Sequence, residues 1–256
     1  MKTTVYKLKS KKAGKNLKIA LVSDLHDRDA EKVTEKLKKA SPDIIAIPGD
    51  LTSRLDLLDG EPSHDKMGEI SHKNAFFLLR EAAKIAPTYY SFGNHELCGH
   101  NYKENFGRRC HEENISEMKK SGVTLLDDEY TVDGKLAVGG LTTGHTNEDL
   151  APHTGWLDGF AARSEFKILL CHHPEYYEKY LKYRDIDLIL SGHAHGGQIR
   201  LFGKGLFAPG QGLLPRYTSG VHENRLIIGR GLANTAGIIP RLFNPTELVI
   251  VEIIAE

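Results

Sequence analysis

The chain predicts an α/β fold built on a parallel sheet, and two observations carry that prediction. Near the start, Leu17–Ser23, Asp29–Ala40 and Asp43–Pro48 read as an apolar run, an amphipathic run and a second apolar run. Strand, helix and strand at this spacing suit a parallel βαβ unit. Further along, apolar runs repeatedly stop at residues able to hold a metal: Asp24 with His26, then Asp50, Asn94, His172, and His193 with His195. In a parallel sheet the C-terminal strand ends lie along one edge, where side chains distant in sequence converge. Chance would have to repeat both residue type and position at every one of these ends.

The elements follow in order. Leu17–Ser23 is β-branched and apolar over a strand's length and breaks off at Asp24-Leu25-His26-Asp27. Asp29–Ala40 keeps Val33 and Leu37 on one helical face, and Ser41-Pro42 ends it. Asp43–Pro48 is a buried strand running into Gly49-Asp50, and Ser53–Ser71 is an acidic, Gly- and Pro-containing loop without period. Asn74–Ala86 is a helix stopped by Pro87, and Thr88–Phe92 is a strand delivering Gly93-Asn94-His95-Glu96, with Tyr89 and Tyr90 as core residues. Residues 97–114 are polar and aromatic and carry Arg108 and Arg109; an insertion directly after such a motif predicts a cap or substrate loop. Ile115–Ser121 continues as helix, and Asp133-Gly134 between Thr131-Val132 and Leu136–Val138 predicts a hairpin. Thr142–Gly159 reads as loop, Phe166–Cys171 as a strand ending in His172-His173-Pro174, and Glu175–Tyr183 as a helix. Ile186–Leu190 is the strand before the His-x-His pair, Gly203–Gly220 is loop, and Arg225–Ile228 and Leu248–Ile254 are closing strands.

Composition bounds the function. The chain has 256 residues, enough to bury a sizeable core as one domain over 1–256. Basic and acidic residues balance at 34 each, so there is no strong nucleic-acid signal. Cys98, Cys110 and Cys171 form no C-x-x-C pair and are odd in number, which argues against a disulfide framework and favours a reduced, cytoplasmic setting. Met1–Lys18 is lysine-rich, with no apolar run long enough for a signal peptide or a transmembrane segment.

The His193-Ala194-His195 pair, flanked by Gly192 and by Gly196-Gly197, suits metal better than core. An extended His-x-His can splay two neutral imidazoles toward neighbouring ions, and glycines let the backbone turn beside them. Asp24-x-His26, Gly49-Asp50, Gly93-Asn94-His95-Glu96, His172 and Gly192-His193-x-His195 together closely resemble the signature of the calcineurin-like metallophosphoesterases. The stretch from Gly196 through Gly231, including Ala208-Pro209-Gly210-Gln211-Gly212 and Tyr217-Thr218-Ser219-Gly220, is similar more narrowly to the bacterial YkuE/YaeI-type branch. The resemblance covers about Lys18 to Ile254.

That resemblance implies a four-layer αββα sandwich and a dinuclear centre of divalent or trivalent transition-metal ions: Mn, Fe or Zn. By position it implies Asp24, His26 and His195 at one metal, Asn94, His172 and His193 at the other, and Asp50 between them. His172 is preferred to His173 because the family pattern is His-x-Pro. The set of carboxylate, imidazole and amide oxygen suits these borderline-hard ions and lacks the thiolates of a structural zinc site. The implied chemistry is hydrolysis of a phosphodiester, pyrophosphate or phosphomonoester by a hydroxide bridging the ions, with His95 as general acid. The implied substrate is a small-molecule or lipid-linked phosphoester.

One position departs from the family pattern. Relatives often carry Gly-Asp-x-x-Asp-Arg, whose second Asp orients the catalytic His, whereas Gly49-Asp50-Leu51-Thr52-Ser53-Arg54 has Ser53 there. Arg54, like Arg108 and Arg109, is a candidate phosphate contact. His64, His72, His100, His111, His145, His153 and His222 show no partner pattern and read as surface or loop histidines. A non-catalytic metal-binding scaffold and a nuclease are the competing functions. The filled ligand positions argue against the first and the neutral charge against the second.

Overall fold

Alternation within the strands builds the layers. In β2 (Leu17–Leu21), Ile19 and Leu21 join one apolar cluster while Ala20 joins another. This period of two marks a strand buried on both faces. The computed structural model describes residues 1–53, 72–97, 114–143, 151–233, 235–236 and 239–256.

One six-stranded sheet contains β1 (Lys2–Ser10), β2, β3 (Ile44–Ile47), β4 (Thr88–Ser91), β5 (Thr124–Leu126) and β12 (Glu247–Ala255), in the order β1-β12-β2-β3-β4-β5. The other six-stranded sheet contains β6 (Glu129–Asp133), β7 (Leu136–Leu141), β8 (Phe166–Cys171), β9 (Leu188–Ser191), β10 (Gly220–His222) and β11 (Leu226–Ile228), in the order β10-β11-β9-β8-β7-β6. Strands β2, β3, β4 and β5 run parallel, as do β7, β8, β9 and β11.

Three apolar clusters separate four layers. The middle one packs Ile19, Leu21 and Val249 of the first sheet against Ile168, Leu170 and Leu190 of the second. Each such aliphatic side chain contributes about 1.5–3 kcal/mol of transfer free energy when fully buried. On the outer face of the first sheet lie α1 (Glu31–Ala40), through Val33 and Leu37, and α2 (Lys73–Ile85), through Ala75, Leu78, Leu79 and Ala82. Those α2 positions repeat at the i, i+3, i+4, i+7 spacing of a one-faced helix. On the outer face of the second sheet, Leu157 and Phe160 of the short helix Leu157–Ala161 pack with Tyr177 and Leu181 over Leu169 and Ile189. The order is therefore helix, sheet, sheet, helix, the sandwich the sequence resemblance implied.

Several boundaries differ from expectation. The lysine-rich start, to which the sequence reading gave no element, is strand β1, which pairs parallel with β12 from Lys2↔Glu247 to Ser10↔Ala255. Its outward positions Thr3, Val5, Lys7 and Lys9 are mostly polar, with lysines of the kind edge strands commonly carry, and this disguises the strand. The segment after Glu175 forms a π-helical turn, Tyr177–Leu181, in which the Lys182 N–H donates to the Tyr177 carbonyl at 2.8 Å. The stretch read as loop from Gly203 contains short antiparallel pairings, Arg200–Leu201 with Lys204–Gly205 and Phe207–Ala208 with Gly212–Leu213.

Candidate metal centre

The C-terminal ends of β2, β3, β4, β8 and β9 deliver the chemistry-bearing residues to one edge of the sandwich. The backbone turns there in an unusual way: Asp24, His26, Asp50, His193 and His195 all have positive φ, between 45° and 63°. For non-glycine residues this region is sparsely populated, and it persists only where the surroundings over-determine it. The glycines alongside have a steric reason. A Cβ on Gly93 would lie 2.2 Å from Asp50 Oδ1, and one on Gly192 would lie 2.5 Å from Asp24 Oδ2.

Candidate ligand atoms gather within 4.8 Å of one another in overlapping groups: Asp24, His26 and His195; Asp24, Asp50 and His172; His26, Asp50 and His95; and His172, His173 and His193. Asp50 Oδ2 lies 3.0 Å from His172 Nε2, 3.7 Å from His95 Nε2 and 4.0 Å from His26 Nε2. His195 Nε2 is 3.5 Å from Asp24 Oδ1 and 3.2 Å from His26 Nε2. Asn94 opens the helical turn Asn94–Leu97, and the next N–H, that of His95, donates to Asp50 Oδ1 at 2.9 Å.

The donor set fits a metal. His172 Nδ1 donates to the Pro48 carbonyl at 2.8 Å, which turns Nε2 toward Asp50 and leaves it as the atom that can bind a metal once its proton is lost. Ligating histidines are oriented in this way by a carbonyl on the other nitrogen. His172 Nε2 and Asp24 Oδ2 are buried without a hydrogen-bond partner, although Nε2 stands close to Asp50. Such atoms cost free energy unless something else satisfies them.

Charge and burial sort the titrating groups. Burial resists ionisation of Asp50, but His172, His95 and His26 override it and hold the carboxyl well below the usual range. Burial opposes a charge on His172 too, yet the Asp50 carboxylate pushes that imidazole up to about 9. Burial prevails at the His-x-His pair: His195 falls to about 4, and His193 lies well below the ordinary value with the His173 and His172 imidazoles adding to the effect.

Supporting contacts reveal residues to which the sequence pattern assigned no task. Glu96 accepts hydrogen bonds from the backbone N–H of Gly93 at 2.8 Å, Asp50 at 2.9 Å and Thr52 at 3.0 Å, and from the Thr52 hydroxyl at 3.2 Å. It ties the loop after β3 to the loop after β4. The signal was present, because Gly93-x-x-Glu96 is the reach-back spacing of a capping box. Asn244 Nδ2 donates to the His195 carbonyl at 2.7 Å and to that of Gln198 at 3.1 Å, holding the His-x-His turn from a segment far along the chain.

His72, expected at the surface, is buried, with Nδ1 2.6 Å from Asp27 Oδ2. Asp27 also accepts from the Ser53 N–H at 2.7 Å, while Ser53 Oγ donates to the His26 carbonyl at 2.9 Å. Ser53 thus braces the His26 loop. His173 turns away from Asp50 toward Glu175, with Nδ1 2.8 Å from Oε1, and its ring stacks against His193 at a centroid distance of 3.9 Å. His222 closes strand β10 and is half-buried, whereas the exposed His153 matches its surface reading. Arg54, Arg108 and Arg109, most of the 97–114 segment, and His64, His100, His111 and His145 lie outside the described residues.

Residues 17–197 match the family described as calcineurin-like phosphoesterase. An uncharacterized metallophosphoesterase of Campylobacter jejuni is 30% identical over 245 residues, which cover 93% of this chain and 59% of that protein. The uncharacterized metallophosphoesterase YkuE of Bacillus subtilis is 27% identical over 231 residues, covering 85% of this chain and 72% of its own length. A solved archaeal phosphodiesterase is similar over 88% of this chain and 90% of its own, with 16% identity and a TM-score of 0.40. The chain spans about three fifths of the length of the Campylobacter protein. The matched stretch begins at β2 and runs past His195, so it takes in every strand end that carries a candidate ligand, and the chain belongs to the calcineurin-like phosphoesterases.

Proposed function

We propose that this phosphoesterase works with two transition-metal ions, manganese, iron or zinc, and hydrolyses a small or lipid-linked phosphoester. Asp24, His26 and His195 would hold one ion and Asn94, His172 and His193 the other, with Asp50 shared. The observation that carries this is the overlap of the ligand groups: Asp50 belongs to one group with His26 and His95 and to another with Asp24 and His172. A carboxylate at the junction of two donor sets is what a shared ligand requires. When bound, the ions would supply Lewis-acid neutralisation of the phosphoryl oxygens and lower the pKa of water.

The chain's own residues supply the rest. His95 sits at the rim, its side chain 19% exposed against 2% for Asp50, so a substrate oxygen can reach its ring. Its backbone is pinned through Asp50 Oδ1. In this position His95 donates a proton to the leaving oxygen, and the neutral His193 and His195 keep their lone pairs for coordination.

The test combines elemental analysis with hydrolysis of a panel of phosphomonoesters and phosphodiesters by protein loaded with each metal in turn. The wild-type chain should hold two equivalents and turn over at least one ester class. Asp50→Asn should no longer retain both ions. Two tightly held metals in that variant would overturn the shared-ligand assignment, and a fully loaded wild type inert on every ester would overturn the hydrolytic one.

A further inference from the structure

Large apolar side chains stand in solvent on the segments that follow the His-x-His turn. Phe202 is 104% exposed, Phe243 81%, Leu213 80% and Leu214 79%, with Leu201 and Leu242 each at 45%. Isolated exposed leucines are ordinary, but a cluster of this size marks an interaction surface. They spring from one hydrogen-bonded patch of backbone. Leu242 donates to the Gln198 carbonyl at 3.2 Å and accepts from Arg200 at 3.0 Å, which seats Leu242-Phe243 beside the foot of the Arg200–Gly205 hairpin. Leu206 donates to Ile199 at 2.9 Å and accepts from Leu214 at 2.9 Å, which adds the third projection.

The tips are conformationally costly. Phe202, Leu214 and Phe243 have φ of 50°, 52° and 53°, the left-handed region that turns usually give to Gly or Asn. Glycine or asparagine there would relieve strain and remove exposed apolar surface together, so folding alone does not account for the phenylalanines.

Charge identifies what would cover them. Residues 198–220 and 229–246 contain Arg200, Lys204, Arg216, Arg230 and Arg241 and no Asp or Glu, in a chain whose charges balance at 34 and 34 overall. Arg216 pairs with Glu178 and Arg230 with Glu247, each at 2.6 Å, whereas the guanidinium groups of Arg200 and Arg241 meet backbone carbonyls and keep their charge. Lys204, at the tip of the Arg200–Gly205 hairpin beside Phe202, is exposed. Separate apolar tips among basic residues suit insertion into the headgroup and acyl boundary of an anionic bilayer, where each tip buries independently and the cations meet phosphate.

We propose that this face, built on the hairpin of Arg200–Gly205, the turn at Leu213-Leu214 and the turn at Leu242-Phe243, docks the protein onto an anionic lipid bilayer. The same backbone carries the candidate metal centre, since Asn244, next to Phe243, holds the His195 carbonyl at 2.7 Å. Docking would bring the centre toward the lipid surface and favour lipid-linked phosphoesters. That consequence for substrate rests on the function proposed above; the docking itself does not.

The experiment uses the full chain and sucrose-loaded vesicles of phosphatidylcholine, with or without about one third phosphatidylglycerol, read by sedimentation and without turnover. The wild type should sediment with the anionic vesicles, much less with phosphatidylcholine alone, and should be released as salt rises. Phe202→Asn with Phe243→Asn should lower partitioning roughly 10²-fold, because each loses a buried ring and Asn tolerates the left-handed backbone. Circular dichroism and metal content should stay unchanged in that variant. Lys204→Glu should weaken binding to the anionic vesicles alone. No binding by the wild type at low salt, or equal binding by the Asn variant, would overturn the proposal. A wild-type dimer that the Asn variant dissolves in the ultracentrifuge, without vesicle binding, would assign the face to a second copy of the chain instead.

Discussion

At the scale of single residues, position and chemistry have to be separated at His95. Its ring lies 3.0 Å from His26 Nδ1 and 3.7 Å from Asp50, close enough to serve either as a metal-side contact or as a proton donor. The leaving group distinguishes the two. An alkoxide needs a proton as the bond breaks, whereas a nitrophenolate departs nearly unaided. His95→Asn should therefore lower kcat by roughly 10² to 10⁴ on an alkyl phosphoester and much less on a nitrophenyl ester. Equal losses on both, with metal content unchanged, would show that His95 positions phosphate or metal.

At the scale of elements, the centre depends on how loops are fastened to one another. Glu96 receives hydrogen bonds from Gly93, Asp50 and Thr52, so one carboxylate holds two strand-end loops in register. Glu96→Gln keeps the shape but replaces an acceptor oxygen with a donor that faces backbone N–H. It should lower stability by about 1–3 kcal/mol and weaken metal binding by roughly 10- to 100-fold, the usual effect of losing an outer contact to a ligand shell. Urea unfolding of the metal-stripped chain reads the first and competition with a chelator reads the second. If both are unchanged, the clamp is dispensable.

Across the whole molecule, the buried histidines couple stability and metal binding to pH in opposite directions. The folded value of His195, about 4, lies below its ordinary 6.5. Its contribution is therefore complete above 6.5 and is lost as pH falls through 4. The difference of about 2.5 units corresponds to about 3 kcal/mol. For His172 the folded value of about 9 lies above 6.5, so that contribution is complete below 6.5 and is lost as pH rises through 9. The metal-free chain should be most stable near neutrality, with His195 accounting for about 3 kcal/mol of the loss toward acid and the lowered His193 and Asp50 adding to it; His195→Asn should make the acid limb shallower in urea titrations. The proposed coordination requires His172 without its proton, so metal binding should release a proton below pH about 9. Calorimetry in buffers of different ionisation enthalpy measures that release, and a buffer-independent heat would contradict it.

What the sequence determined by itself is whatever is written in short-range patterns. Runs such as Leu17–Ser23 and Phe166–Cys171 show their burial through composition, and the residues that stop them, Asp24, Asp50, Asn94, His172, His193 and His195, point to the candidate site because parallel strands share an end. Tertiary structure alone decided features whose partners are distant. Strand β1 carries too little apolar alternation to mark it until Lys2 pairs with Glu247, and His72 looks like a surface residue until α2 sets it against Asp27. The left-handed backbone at Asp24, His26, Asp50, His193 and His195 also escapes the sequence, since strain is held by surrounding contacts and leaves no local mark. Phe202 and Phe243 were hidden for the converse reason. A phenylalanine reads as core in any window, and only the assembled fold shows that it faces outward.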